Sequence, residues 1–426
     1  MTSPVFDLLP GESLVIYEGD GSWVAPGSVA KGCRIRVEFS WAAGTLVHFD
    51  FCGQEASLGW KSDSGVLMLR GSEVSNLVML DDTTAALNPC VIGDVDADID
   101  TVIFHVCNFV PYLQLGEGRS RPLTFEHGGW IIELEQVSDA RDRIRDVRRL
   151  GGGAVTHVGA IRDASGSSYA WAAVQEILDG FGQFLNWAAS DRVPILLPVG
   201  IRGEERLVEA WGDPRRQLGR SGMRWFSAHD PETLSSMWPR FASMWSDREW
   251  RAALTVAGEL YADSHHGAPL EIRIVTAWAA LEIMAWQWLT RIENLDAGKV
   301  DSENADWRIR RMLKSMQVPI GIRPSMAALT DFANGRDGPK TVADLRNRVV
   351  HPKEGVDILD ISSETKQQAW NLALWYMELA LMKLCQWDGP YLDRTRSPPL
   401  WEGNVSYPPW NQSTNIERDP AGTEGS

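Results

Sequence analysis

The segment 344–352 reads Asp-Leu-Arg-Asn-Arg-Val-Val-His-Pro and puts a guanidinium (Arg346), an amide (Asn347) and an imidazole (His351) within six residues. Histidine is the side chain whose ordinary titration lies nearest neutrality, so it can take up and release protons under physiological conditions. Arginine offers a permanent planar cation suited to a phosphate or carboxylate. Together the set fits proton transfer beside a phosphate. Apolar Leu345, Val349 and Val350 share the segment, which predicts a helix that packs on one side while the polar set projects elsewhere. Pro352 predicts the helix end, because proline disfavours helical geometry at the residue before it. His351 is then left at a helix C-terminus, where the dipole favours a cation.

The elements that must position this end read as helices from about Pro231 onward. Pro231–Met244 and Arg248–Tyr261 are amphipathic, and Pro269–Leu289 is almost wholly apolar, the pattern of a helix buried on most sides. Glu282 falls in the middle of that stretch. A buried carboxylate needs a cationic or donor partner, and Arg346 is the candidate. Asp306–Met316 reads as a basic helix, Pro319–Pro339 as a looser stretch, and Thr341–His351 as the helix of the motif. Ser363–Gln386, capped by Ser362 or Ser363, repeats apolar residues at helical spacing through Trp370, Leu374, Met377, Leu381 and Leu384.

A buried helix containing Ala280-Leu281-Glu282, a basic helix, Arg-Asn-x-x-x-His at a helix end and a long amphipathic helix follow one another in residues 230–390. This order resembles the HEPN superfamily (higher eukaryote and prokaryote nucleotide-binding domains), in its abortive-infection-like branch, over somewhat less than half of the chain. The resemblance implies an all-α bundle acting as a metal-independent endoribonuclease in antiphage defence. Arg346, Asn347 and His351 would be its catalytic residues and Glu282 a supporting one. It also implies that two bundles pair, giving a homodimer or a larger even assembly. The chemistry is coherent by itself, since RNA carries its own nucleophile, the 2′-hydroxyl, beside each phosphodiester. Cleavage needs a group that moves a proton and a cation for the extra phosphoryl charge. His351 would do the first, Arg346 the second, and Asn347 would orient the phosphate or the imidazole, with no cofactor or metal required. Lys340, Arg348 and Lys353 are candidates for contacts to an RNA backbone, tRNA included, and solvated surface charge is the other reading of each. The bland reading of the motif also stays open: Arg346 pairs with Glu282, His351 only ends a helix, and the bundle is a non-catalytic binding or dimerisation module.

Charge is unevenly spread. Residues 1–140 carry twenty acids against seven Lys and Arg, whereas residues 306–353 carry ten basic residues against four acids. A wholly acidic protein repels nucleic acid, whose binding rests on phosphate neutralisation. The basic segment around the motif leaves a local phosphate-facing site open, or else a solvated helix face that pairs with the acidic part. The acidic part is in turn a candidate to occupy the basic site as an inhibitor.

Residues 1–135 read as β-rich, with short alternating stretches such as Ser13–Tyr17, Arg34–Phe39, Thr45–Phe51 and Thr101–Phe109 between turn residues. A sandwich or partial barrel is expected, serving to sense a phage-derived or small-molecule trigger or to restrain the bundle. Asp94, Asp96, Asp98 and Asp100 alternate with other residues but lack the glycine and glutamate of the helix-loop-helix calcium motif, so a charged loop or edge strand is expected. Residues 136–229 read as a connecting helix and a small mixed α/β region, with Gly151-Gly152-Gly153 as a hinge. Residues 391–426 read as an irregular tail containing Trp401 and Trp410. The fold class expected is α+β and multidomain. His265-His266 lacks a further ligand and reads as a loop. Five cysteines, odd in number and widely spaced, suggest neither a disulfide framework nor a zinc knuckle, which fits a reducing cytoplasm. No apolar run reaches the roughly 18 residues of a membrane helix, and no secretory signal is evident. The twenty tryptophans are expected to fill cores, with some left for a recognition surface.

Overall fold

The computed structural model describes residues 4–24, 31–50, 66–74, 77–81, 83–112, 121–212, 224–266, 268–351, 358–396 and 405–411. They form two compact units, one from Met1–Gly182 with Arg192–Arg220, the other from Gln183–Asp191 with Ser221–Ser426. The fold is mixed α+β, strand-rich in the N-terminal part and helical in the C-terminal part. Among the described residues no helix is long and apolar enough to cross a membrane.

The first unit holds two seven-stranded antiparallel sheets. The first comprises β1 (Ser13–Val24), β2 (Lys31–Ser40), β3 (Gly44–Asp50), β4 (Val66–Leu69), β5 (Ser72–Val74), β6 (Leu77–Met79) and β7 (Thr84–Leu87), in the order β5-β4-β1-β2-β3-β7-β6. Strand β2 shows why these segments are strands. Cys33, Ile35, Val37 and Phe39 are buried, while the intervening Arg34 and Arg36 are exposed, the period of a sheet with one dry face. The second sheet comprises β8 (Cys90–Gly93), β9 (Thr101–Cys107), β10 (Leu123–His127), β11 (Trp130–Gln136), β12 (Val155–Asp163), β13 (Ile195–Arg202) and β14 (Glu205–Trp211), in the order β10-β11-β12-β9-β13-β14-β8. One core takes Ile35, Val37, Phe39 and Val47 from the first sheet and Val158, Leu196, Val199 and Trp211 from the second.

Two expectations change here. The boundary expected at residue 135 is crossed by the second sheet, which pairs β9 to β11 with β12 to β14. The glycines at 151–153 follow α1 (Ala140–Leu150) as its stop, with Gly151 and Gly152 at positive φ. A Cβ at Gly153 would overlap the Trp41 ring, so close packing selects glycine there. Asp94 to Asp100 lie in the loop after β8. Asp100 accepts hydrogen bonds from the Ser168 hydroxyl (2.9 Å) and the Gly203 N–H (3.2 Å), and among the described residues no group of side chains is arranged to hold a metal.

The neutral form of one buried histidine ties the start of the chain to this sheet. His105 Nδ1–H donates to the Leu196 carbonyl (3.2 Å), and Nε2 accepts the N–H groups of Val5 and Phe6, both at 3.1 Å. Burial pushes this imidazole down to about 4.

Helix α2 (Trp171–Ala189) begins in the first unit, and its residues from Gln183 belong to the second. The second unit then contains α3 (Glu232–Ser246), α4 (Arg248–Asp263), α5 (Leu270–Arg291), α6 (Ala297–Asp301), α7 (Ala305–Ser315), α8 (Ala327–Ala333), α9 (Gly338–Val350) and α10 (Ser363–Leu384), with a short pair β15 (Tyr391–Leu392) and β16 (Val405–Ser406). Helix α5 is the centre, packed against α4, α7, α9 and α10. Ile274, Ala277, Trp278, Leu281, Met284, Ala285 and Trp288 form its buried stripe at three-to-four spacing. Tryptophans fill this unit: Trp187 meets Trp225 at 4.7 Å between ring centroids, and Phe184 meets Trp238 and Phe241 at 5.5 and 5.2 Å. The described residues of the tail pack against this unit. The Leu392 N–H donates to the Trp225 carbonyl, Trp410 Nε1–H donates to the Trp387 carbonyl (2.9 Å), and Arg394 is fully buried. Trp401 lies outside the described residues.

Candidate functional site

Helix α9 carries the motif, and its start is fixed firmly. Asp337 caps it by accepting the Lys340 N–H at 2.9 Å, and Pro339 occupies the first turn, where its missing donor costs nothing. Arg310 of α7 reaches the same carboxylate at 2.6 Å. Burial pushes the Asp337 carboxyl up, but the Arg310 hydrogen bond and the Lys340 N–H outweigh it and hold it below the usual range. Val342 and Leu345 are fully buried on the packed face. The helix ends where expected, with the His351 N–H donating to the Asn347 carbonyl at 2.8 Å.

The three motif side chains share this end and differ in their freedom. Arg346 is half-buried, and its Nη1–H donates to Asn347 Oδ1 at 3.1 Å. Its Nε is buried with no hydrogen-bond partner among the described residues. Asn347 and His351 are exposed. Among the described residues the His351 ring makes no hydrogen bond or ion pair. The same helix end thus carries a guanidinium oriented by Asn347 and, five residues on, an exposed imidazole, groups suited to binding an anion and moving a proton.

The remaining expected residues do not converge on it. Glu282 lies on the half-buried flank of α5, outside the packed stripe, and makes no ion pair with Arg346 or any other described cation. The partner expected for it is unnecessary because it keeps access to water. Lys340 pairs with Asp344 at 3.1 Å, and Asp344 also takes Arg336. The Arg348 guanidinium carbon lies 5.0 Å above the Phe332 ring centroid, so this cation is folded onto its own unit. Pro352 and Lys353 lie outside the described residues. Within 306–353 Arg310 is paired with Asp306 and Asp337, and Glu293 from outside the segment takes Arg311.

A second constellation was not legible in advance. The Tyr261 hydroxyl donates to Glu378 Oε1 at 2.6 Å and shares a hydrogen bond with Ser190 (2.7 Å), while Arg394 pairs with both oxygens of Glu378. Glu378 and Arg394 are fully buried. His265 Nδ1–H donates to the Tyr261 carbonyl (2.8 Å), and His266 Nε2 lies 2.7 Å from Asp191, so the histidine pair read as a loop is bound into this core. Burial pushes the Tyr261 hydroxyl far above its ordinary range, and the Glu378 charge adds to this, so it stays protonated and donates. Only the apolar setting of Glu378 inside α10 hinted at it, since its partners come from residues far apart in the chain.

Comparison with known proteins gives two domain matches. Residues 94–220 match the YopA central domain, and residues 247–407 match the YopA C-terminal domain. The first sheet, β1 to β7, lies outside both. The chain is also similar to the SPbeta prophage-derived uncharacterized protein YopA of Bacillus subtilis (strain 168), at 25% identity over 338 residues, covering 77% of this chain and 76% of that protein. No solved structure matches.

Proposed function

We propose that the helical unit is a metal-independent endoribonuclease of HEPN-like type, in which Arg346, Asn347 and His351 act on a phosphodiester. The observation that carries this reading is the end of α9, where Asn347 orients the Arg346 guanidinium and the His351 imidazole is exposed with no hydrogen-bond or ion-pair partner among the described residues. In the reaction His351 takes the 2′-hydroxyl proton, the 2′ oxygen forms a new bond to phosphorus, and the bond to the 5′ oxygen breaks. Arg346 stabilises the extra phosphoryl charge. The leaving 5′ oxygen takes up a proton, so the products are a 2′,3′-cyclic phosphate and a 5′-hydroxyl. One helix end gives one imidazole, and pairing with a second copy supplies the other. The prophage origin of the similar Bacillus protein supports a setting in phage–host conflict, with the strand-rich unit sensing a trigger or restraining the bundle. The reducing cytoplasm that five widely spaced cysteines lead one to expect is also where that RNA is found.

Val350, about two-fifths exposed beside the motif, supports a second reading in which this helix end only pairs two chains as a non-catalytic module. Purified protein incubated with total RNA and tRNA in EDTA separates the two. Cleavage ending in cyclic phosphate, lowered about 10²- to 10⁴-fold in His351→Ala, is the expected result. Cleavage equal in both proteins would refute the proposed site, and a full chain that pairs in solution yet cuts nothing would favour the pairing module.

A further inference from the structure

Helix α7 and the residues after α5 form an open cleft of about 570 Å³, lined by Glu293, Trp307, Arg310, Arg311, Lys314 and Ser315. Its volume lies in the range of small-ligand sites. The Arg311 guanidinium carbon sits over the Trp307 ring, 5.5 Å from its centroid, and Arg311 Nε donates to Glu293 at 2.7 Å, which holds the cation by the indole. The Arg311 side chain is nonetheless 41% exposed. Lys314 is exposed and makes no ion pair among the described residues. The Ser315 hydroxyl accepts Trp288 Nε1–H at 3.2 Å, which leaves its own proton to donate. Arg310, by contrast, is saturated by Asp306 and Asp337 and serves as a fixed wall.

We infer that this cleft holds single-stranded RNA, with one base stacked on the outer face of the Arg311–Trp307 pair and a backbone phosphate at Lys314 and Ser315. The inference rests on the ribonuclease reading and names how its substrate is held. Unpaired bases stack on aromatic rings and guanidinium planes, and the adjoining phosphates need a free cation. Glu293 sharpens the choice, because a carboxylate repels a free polyphosphate yet accepts the amino and imino donors of a base edge. The cleft also has a geometric link to the motif. Arg310, in its wall, touches the cap of α9, and the motif stands at the other end of that 13-residue helix. At 1.5 Å per residue the separation is about 20 Å, spanned by roughly six nucleotides of a stacked strand at about 3.4 Å each.

The test is fluorescence anisotropy of the full chain, carrying His351→Ala and in EDTA, with labelled oligonucleotides of four and twelve nucleotides at several salt concentrations. Arg311→Ala should weaken the twelve-mer about 5- to 100-fold, the range for one lost base stack. Lys314→Glu should weaken it about tenfold and lower the salt slope by about 0.7, the share of one phosphate on a single strand. Lys299→Glu, an equal charge change on α6, should do neither, and the four-mer should bind more weakly than the twelve-mer. In the active chain Lys314→Glu should raise KM and leave kcat unchanged. Unchanged affinity in both cleft variants overturns the inference, even where His351→Ala abolishes cleavage. Weakened binding in a chain that cuts no RNA keeps the cleft and removes the nuclease reading instead. AMP binding as tightly as the twelve-mer overturns the strand in favour of a free nucleotide.

Discussion

Two places in the helical unit combine arginine and histidine, and they are built oppositely. At Arg394 the guanidinium is fully buried, its carboxylate partner Glu378 is fully buried, and Tyr261 and His265 complete the surroundings. At Arg346 the guanidinium is half-buried, its neighbour is an amide, and the imidazole at His351 is open to water. The first site has richer chemistry on paper, with a carboxylate, a phenol and an imidazole within reach of one another. It has no surface at which a substrate could meet them. The second is sparse and accessible. Residue types therefore nominate a site, but exposure and unspent hydrogen-bonding capacity decide between a polar core and a reacting one.

The strongest way to break this contrast is Glu378→Ala. Removing one member of a buried ion pair leaves the other uncompensated, so a loss of about 3–5 kcal/mol is expected in urea unfolding. Arg346→Ala at the open end should stay within about 1 kcal/mol. Equal losses at the two positions would erase the distinction. Asp337→Ala should fall between them, at about 0.5–2 kcal/mol for a lost cap, since it also releases Arg310. If cleavage depends on α9 being held firmly, this variant should lose activity with the motif intact, and a rate equal to the natural protein's would show that the helix end works unaided.

The smallest effect is in pH. Burial pushes His105 down to about 4 and His157 to about 3, whereas unfolded histidine titrates near 6.5. The unfolded chain thus binds more protons as pH falls below about 6.5, and the stability due to these neutral rings, complete above that value, is lost progressively toward pH 4. Carboxylates held low, such as Asp163 and Glu38, add to the loss only at the acid end of this window. The urea midpoint should therefore fall between pH 6.5 and 5, and His157→Phe, among Phe109 and Tyr112, should flatten that slope. A midpoint independent of pH over this interval would contradict neutral burial.

Much of the local architecture was legible. The stop at His351, the apolar stripe of α5 and the alternation in β2 follow from periods and breakers that act over a few residues. What was not legible depends on partners far apart in sequence. Arg394 lies in a stretch with several prolines and little periodicity, and nothing near it announces a buried cation. The apolar neighbours of Glu282 suggest a buried carboxylate with a partner, yet one helical step of about 100° turns it from the packed stripe to the flank. Lys340 and Arg348 looked free because their partners, Asp344 and Phe332, are defined only once α8 and α9 meet.

The place of Arg394 also sets an order in time. On the ribosome Tyr261 and Glu378 are made first, and the cation that neutralises Glu378 follows sixteen residues later. Until then, closing α10 against α4 would bury a lone carboxylate. Closure with Glu378 compensated therefore waits for the turn after β15, which carries Arg394. The match to the YopA C-terminal domain runs to residue 407, past this latch and past β16. A shortened chain ending with α10 would contain every helix of the described residues and still lack the charge that lets them shut.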